Sequence, residues 1–122
     1  MPTTILLISH GSREVSANLE FKRIVRQYQK RHRRWKVAYA FLDLVEPSIP
    51  AALETLALDS EAILVLPYFL FSAKHVKKDI PEIIRVFRKR HPRVQVRIAK
   101  PLGSDIKLLD ILDKHLRIIS PK

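Results

Sequence analysis

The 122-residue sequence predicts an α/β fold: a single domain with a four-stranded, mainly parallel sheet flanked by helices. Four short apolar runs alternate with four segments whose apolar residues recur at helical spacing. The first and third runs are continuously apolar, as is typical of strands covered on both faces, whereas the fourth alternates like an edge strand. Because no linker or low-complexity stretch interrupts this order, we expect residues 1–122 to form one domain.

The four predicted strands share short length and apolar character. They span residues 4–9 (TILLIS), 36–42 (KVAYAFL), 62–66 (AILVL) and 93–99 (RVQVRIA). Right-handed crossovers between parallel strands favour the common order 2-1-3-4, which makes the first and third strands neighbours.

The predicted helices follow the strands one by one, over residues 15–34, 48–58, 79–90 and 104–118. The second is short and apolar on nearly all sides. The third begins Asp79-Ile80-Pro81, which we interpret as an N-cap followed by a proline in the first turn.

Composition excludes several classes of function. The chain has no Cys, which rules out disulfides, Cys-ligated zinc, iron–sulfur clusters and thiol catalysis. Its two glycines are too few for a Walker loop or a Gly-rich dinucleotide motif. No apolar run is long enough to span a bilayer, and residues 1–4 lack the pattern of a signal peptide, so we expect a cytoplasmic protein.

Positive charge is in excess and unevenly distributed. The chain has 23 Lys and Arg against 12 Asp and Glu, a net charge of +11. Eight bases and no acid occur in residues 21–36, and ten bases with two acids in residues 74–100. Such a field attracts polyanions, which include nucleic acid, an anionic membrane and a small molecule with many carboxylates. A solvated helix face explains either run equally well.

The candidate site lies where parallel strands end, because ligands of open parallel sheets bind beyond the carboxyl ends of the strands. Four loops meet this criterion: residues 9–13, 43–48, 67–75 and 100–104. They contain both glycines, His10, His75 and Glu46.

Two imidazoles with a nearby carboxylate suit a borderline divalent metal such as Co(II), Ni(II), Fe(II) or Zn(II). Either His10 or His75 taken alone is more simply a hydrogen-bonded loop residue, whereas the pair favours metal binding or acid–base chemistry. A serine-hydrolase interpretation of Ser9-His10 fails because no G-x-S-x-G turn is present.

Four segments of the sequence together resemble the short-form CbiX family, the sirohydrochlorin cobaltochelatases of the class II chelatase superfamily. They are LLISHGSR, AFLDLVEPSIP, LPYFLFSAKHVKKDIP and AKPLGSD, at residues 6–13, 40–50, 66–81 and 99–105. They occur in the family's order and span essentially the whole chain. One departure is Ala73, which stands where the family often has glycine.

The resemblance implies ATP-independent insertion of a divalent metal, cobalt or else nickel or iron, into sirohydrochlorin, with no prosthetic cofactor. It identifies His10 and His75 as the catalytic, metal-holding pair and Glu46 as an assisting carboxylate. Imidazoles suit this role because they can both bind a metal and accept pyrrole protons.

The eight carboxylates of sirohydrochlorin match a basic edge of the sheet. We therefore expect substrate contacts from the basic side chains and from the loop around the first histidine. The residues are Gly11, Ser12, Arg13, Lys74, Lys77 and Lys78.

Size adds a prediction about assembly. Longer class II chelatases have two such domains facing one cleft, so the resemblance to the short form implies a symmetric homodimer. Residues 48–58 and 69–71 are the candidate contacts. Two other functions remain open: a basic nucleic-acid-binding domain, although no RNP, KH or helix-turn-helix signature is present, and a non-catalytic tetrapyrrole or metal carrier.

Overall fold

The computed structural model describes residues 2–121, apart from the side chains of Lys74 and His75. Its four strands form one parallel sheet in the order β2-β1-β3-β4, which confirms the predicted architecture. The strands are β1 (Thr3–Ser9), β2 (Lys36–Phe41), β3 (Ala62–Pro67) and β4 (Gln95–Ile98).

A helix follows each strand. The helices are α1 (Val15–Arg31), α2 (Ile49–Leu56), α3 (Lys74–Arg90) and α4 (Lys107–Ile119), and a 3₁₀ turn (Leu102–Ser104) precedes the last. Within the described residues, no helix is both long and apolar enough to cross a bilayer.

The predicted start of the third helix is wrong. The helix begins at Lys74 with Ala73 as its N-cap, so Asp79 lies inside it and Pro81 is accommodated in the helix. Val76 and Ile80 are only 1% and 4% exposed, and burying them against the sheet stabilises the additional turn before Asp79. Ala73 has a φ of −68°, which an alanine adopts as readily as a glycine.

The sheet buries both of its faces, but unequally. On one face, Leu6, Ile8 and Val65 belong to the larger core, which α2 and α3 cover. On the other face, Leu7 and Phe41 pack against α1 in a smaller core. This alternation along β1 is the two-residue period of a strand covered on both sides.

Polar contacts stabilise the fold outside its apolar cores. Thr4 and Ser60 share a buried hydroxyl–hydroxyl hydrogen bond of 2.7 Å. The Nε2 atom of His91 lies 3.0 Å from a carboxylate oxygen of Glu54, and its ring stacks on Phe87, so the C-terminal end of α3 is tied to α2. His91 therefore has the structural role that its place in a basic helix end indicates.

Candidate active site

His10 is the first residue after β1, and the neighbouring loops hold it from both sides. Its carbonyl oxygen accepts a 3.0 Å hydrogen bond from the amide of Asp43, which follows β2. Its imidazole lies against the ring of Phe69, which follows β3, with the ring centroids 4.5 Å apart. The side chain of His10 is otherwise exposed, so the ring is positioned yet open to solvent.

Gly11 is required by the backbone at this turn. Its φ is +87°, in the left-handed region that favours glycine. A Cβ built on Gly11 would also collide with the carbonyl oxygen of Asp43. The loop after β1 can approach the loop after β2 this closely because glycine has no side chain.

Asn18 closes the rest of this loop. Its Oδ1 accepts a 3.0 Å bond from the amide of Ser12, and its Nδ2 donates a 2.8 Å bond to the Ser12 carbonyl. The Ser12 hydroxyl oxygen accepts from the Glu14 amide at 3.0 Å. The amide of Ser12 is therefore engaged within the loop, while its hydroxyl proton remains able to bind a ligand.

Glu46 lies in the loop between β2 and α2 with its carboxylate side chain exposed. The backbone of this loop is held at its end, where the amide of Phe41 donates a 2.8 Å bond to the carbonyl of Pro47. Leu44 has a φ of +69°, and Ser48 caps α2 by accepting from the amide of Ala51. Since β2 and β3 flank β1, the loop of Glu46 lies at the same edge of the sheet as His10.

A groove of about 340 Å³ opens at the same edge, between the loop after β3 and the loop after β4. Two backbone bonds join these loops, from the Leu102 amide to the Phe69 carbonyl and from the Gly103 amide to the Leu70 carbonyl. The groove combines apolar and basic side chains. Its lining residues are Leu70, Phe71, Ser72, Lys77, Lys100, Pro101 and Ser104.

The remaining predicted residues are distributed along this edge. Arg13, Lys77 and Lys78 are exposed, and Lys77 borders the groove. The side chains of Lys74 and His75 lie outside the described residues, although the backbone of both begins α3, directly after the loop of Phe69. Among the described side chains, no three carboxylate or imidazole groups cluster as metal ligands.

Three residues have contacts that the sequence did not predict, although residues 69–71 were predicted as a dimer contact and residues 100–104 as a loop of the candidate site. Phe69 supports the ring of His10, Asn18 braces the adjacent loop, and Lys100 borders the groove. Position after a strand was a usable signal for Phe69 and Lys100. No comparable signal marks Asn18, which lies inside a helix and acts on a loop six residues earlier.

Comparison with known proteins places the chain in a family. The sequence profile of the CbiX family matches residues 4–118. Sirohydrochlorin ferrochelatase of Arabidopsis thaliana is 29% identical over 114 residues, which cover 93% of this chain and 51% of that protein. Sirohydrochlorin cobaltochelatase of Sulfurisphaera tokodaii is 30% identical over 115 residues, covering 92% of this chain and 89% of that protein.

Solved structures share the fold. The sirohydrochlorin chelatase SirB from Bacillus subtilis subspecies spizizenii, crystallised with cobalt, superposes with a TM-score of 0.86 at 29% identity. The match covers 98% of this chain and 51% of SirB, so the chain spans about half the length of SirB and of the Arabidopsis relative. The profile match, over nearly the whole chain, shows that this protein belongs to the CbiX family.

Proposed function

We propose that this protein inserts a divalent metal, cobalt in the first place, into sirohydrochlorin without ATP. The observation that carries the proposal is the placement of His10, an exposed imidazole positioned by Phe69 at the edge where parallel sheets bind ligands. The relatives named as sirohydrochlorin chelatases support the substrate, and the names include both cobalt and iron enzymes. Nickel remains an alternative, because imidazole and carboxylate ligands suit all three ions.

The reaction exchanges two protons for one ion. Sirohydrochlorin loses the protons of two pyrrole N–H groups, and the divalent metal forms bonds to the resulting nitrogens, so charge balances without a redox step. We assign metal delivery and proton acceptance to His10 and His75, and assistance as ligand or base to Glu46. Imidazole is suited to both steps, because its ordinary pKa lies near neutrality.

Substrate binding combines a flat apolar surface with cations. Leu70 and Phe71 are exposed in the groove and offer apolar contact to a macrocycle. Lys77 and Lys100 border the same groove and are placed to pair with carboxylates. We assign further carboxylate contacts to the basic and polar residues predicted from the sequence: Gly11, Ser12, Arg13, Lys74 and Lys78.

A second group of basic residues lies away from this edge. α1 runs back across the sheet, so Arg31 at its end and Arg34 in the following turn lie at the amino edge. They do not contribute to the groove, and a nucleic-acid-binding function would use this opposite edge. The proposed chelatase site and that alternative are therefore separable by mutation.

The proposal includes the organisation of the chain. We infer that residues 1–122 act as one domain, that two copies form a homodimer, and that the protein is cytoplasmic. In the predicted contact at residues 48–58, four of the eight residues of α2 are buried in the chain's own core, whereas Leu58 is 86% exposed and available for a contact. The exposed Leu70 and Phe71 keep the second predicted contact available.

Anaerobic metallation tests the function. Sirohydrochlorin is mixed with Co(II), Ni(II) or Fe(II), with and without protein, and the visible spectrum is followed. The proposal predicts faster metallation with at least one ion, a rate lost in His10→Ala and kept in His32→Ala, whose ring lies against Tyr28 and Trp35 at the amino edge. Absence of acceleration by the folded protein with every ion would refute it. A salt-dependent shift of DNA or RNA would then favour the nucleic-acid alternative.

A further inference from the structure

The second half of α1 and the turn that follows it form a strongly basic surface. Arg23, Arg26 and Lys30 recur at positions i, i+3 and i+7, so they make one stripe on the exposed face of the helix. Four exposed bases continue the stripe around the turn into β2: Arg31, Arg33, Arg34 and Lys36. Among the described residues, none of these bases forms an ion pair with a carboxylate. Their charge is therefore open to a ligand.

The matching end of α3 is different. It has the similar sequence Lys89-Arg90-His91-Pro92-Arg93, which also leads into a strand. There, Arg90 and His91 lie 3.7 and 3.0 Å from the same carboxylate oxygen of Glu54. The helix dipole favours cations only in the last turn of a helix, so it does not account for Arg23, nor for the bases beyond the end of α1. The excess of charge at α1 thus requires another explanation.

An exposed aromatic ring lies among these bases. Trp35 is 41% exposed and belongs to neither of the two apolar cores of the described residues. Its ring is parallel to that of His32 within 7°, with the centroids 6.2 Å apart. The ring of His32 also contacts the ring of Tyr28, with the centroids 4.4 Å apart, and Tyr28 packs against the core beneath α1. A row of three rings therefore connects this core to the surface.

Gln29 holds the turn that carries Trp35. Its Nε2 donates to the carbonyl oxygens of His32 and Trp35 at 3.0 and 2.7 Å. Its Oε1 accepts from the amide of Val37 at 2.8 Å. The side-chain amide thus uses both its donor and its acceptor group on this one turn. Because the turn is already ordered, less conformational entropy is lost when a ligand binds there.

Single-stranded nucleic acid matches this combination of groups. Surfaces that bind it join a track of Lys and Arg, which pair with phosphates, to exposed aromatic rings on which unpaired bases stack. A duplex keeps its base faces inside the helix, so an open ring favours single strands over duplexes. An anionic membrane would require an exposed apolar helix face, whereas Phe21 and Val25 on the apolar face of α1 are buried against the sheet.

We propose that the end of α1 and the turn at residues 32–36 bind single-stranded nucleic acid, with a base stacked on Trp35 and phosphates paired with Arg33 and Arg34. Lys36 is the register partner of Thr4 in β1, and six residues of chain, roughly 20 Å of strand, separate Thr4 from His10. The surface is therefore distinct from the proposed metal site. This proposal is independent of the catalytic assignment, since one chain can have both activities.

The experiment uses Trp35 as its own reporter, because it is the only tryptophan in the chain. Fluorescein-labelled single strands of uridine or thymidine nucleotides, each about 20 nucleotides long, are titrated with protein and followed by anisotropy. Unlabelled strands are used to follow the fluorescence of Trp35. A duplex of the same length and vesicles of phosphatidylserine and phosphatidylcholine are tested in parallel.

Two variants separate charge from stacking. The charge variant is Arg33→Gln/Arg34→Gln, and the stacking variant is Trp35→Leu. The matched control, Lys89→Gln/Arg93→Gln, removes the same charge from exposed residues at the end of α3. Circular dichroism tests the folding of each protein. Should Trp35→Leu fail to fold, quenching of Trp35 in the wild type still tests the stacking.

The wild type and the control are expected to bind single strands with a dissociation constant on the order of 10 μM at low salt, with the fluorescence of Trp35 quenched. Trp35→Leu should bind about tenfold more weakly. The charge variant should lower the slope of log affinity against log salt by roughly 1.4, the value for two lost phosphate contacts on a single strand. A higher affinity for uridine strands would identify RNA as the ligand, and a higher affinity for thymidine strands would identify DNA.

Four results would each overturn the proposal. They are no binding of either strand by the folded wild type, binding that leaves the fluorescence of Trp35 unchanged, a control that loses as much affinity as the charge variant, and a duplex or vesicle that binds as tightly as the single strands.

Discussion

Replacing Gly11 with alanine should damage stability and activity together. A left-handed φ costs an L-residue roughly 1–2 kcal/mol, and Gly11 has a φ of +87°. The new Cβ also displaces the Asp43 carbonyl group, which strains the neighbouring hydrogen bond from Asp43 to His10 and adds roughly 1 kcal/mol. The free energy of unfolding should fall by about 2–4 kcal/mol.

Urea unfolding followed by circular dichroism measures this loss, and thermal unfolding should show a midpoint lower by roughly 10 °C. Because the same shift moves the backbone of His10, metallation should slow more than the loss of folded protein explains. The control is Glu14→Ala in the same loop, where the exposed side chain makes no capping bond, with an expected change within about 0.5 kcal/mol. A Gly11→Ala protein as stable as that control would refute the account of this turn.

Three further changes test other contacts. Lys100→Gln should weaken sirohydrochlorin binding about two- to fivefold, and less so at high salt, while the matched change Lys114→Gln on α4 leaves binding unchanged; equal effects in an absorbance titration would contradict the groove assignment. Thr4→Val strands the buried hydroxyl of Ser60 and should cost about 1–2 kcal/mol in urea unfolding, with part of the loss recovered when Ser60→Ala is added; a double variant less stable than the single one would be inconsistent with this pairing. Asn18→Ala removes both hydrogen bonds that hold the loop after β1, and it should lower the metallation rate at saturating substrate with a stability loss of about 1–2 kcal/mol. An unchanged rate would show that the loop keeps its conformation without these bonds.

The sheet was predictable from the sequence because apolar patterns mark its strands. The continuous apolar run of β1 marks a strand covered on both faces, and the strand order follows from right-handed connections. The same expectation for β3 is wrong on one face, because Leu64 and Leu66 are only half-buried there. The start of α3 was not predictable in the same way. Asp79 and Pro81 form a plausible local start, but burial of Val76 and Ile80 against the sheet, a tertiary contact, extends the helix beyond it.

In the candidate site too, local sequence patterns predict some features, whereas others depend on tertiary contacts. The position of His10 was predictable, because a histidine directly after a buried strand lies at the carboxyl end of the sheet, where ligands of parallel sheets bind. Its catalytic role stays a prediction. Its support by Phe69 required the loop after β3 to turn back over β1, which depends on spacing between strands that no local pattern encodes. The exposure of apolar residues on α4 was also not predictable, since a helical pattern predicts which face is apolar but not what covers it.

The most direct test of the proposed chemistry is single-turnover Co(II) insertion into sirohydrochlorin already bound to the protein. The wild type, His10→Ala, His75→Ala and the control His32→Ala are compared by stopped-flow absorbance under anaerobic conditions, after the affinity of each for sirohydrochlorin has been measured. We expect either His10→Ala or His75→Ala to slow insertion by about a hundredfold or more with sirohydrochlorin affinity nearly unchanged, whereas His32→Ala inserts cobalt at the wild-type rate. Insertion at the wild-type rate in both His10→Ala and His75→Ala would contradict it.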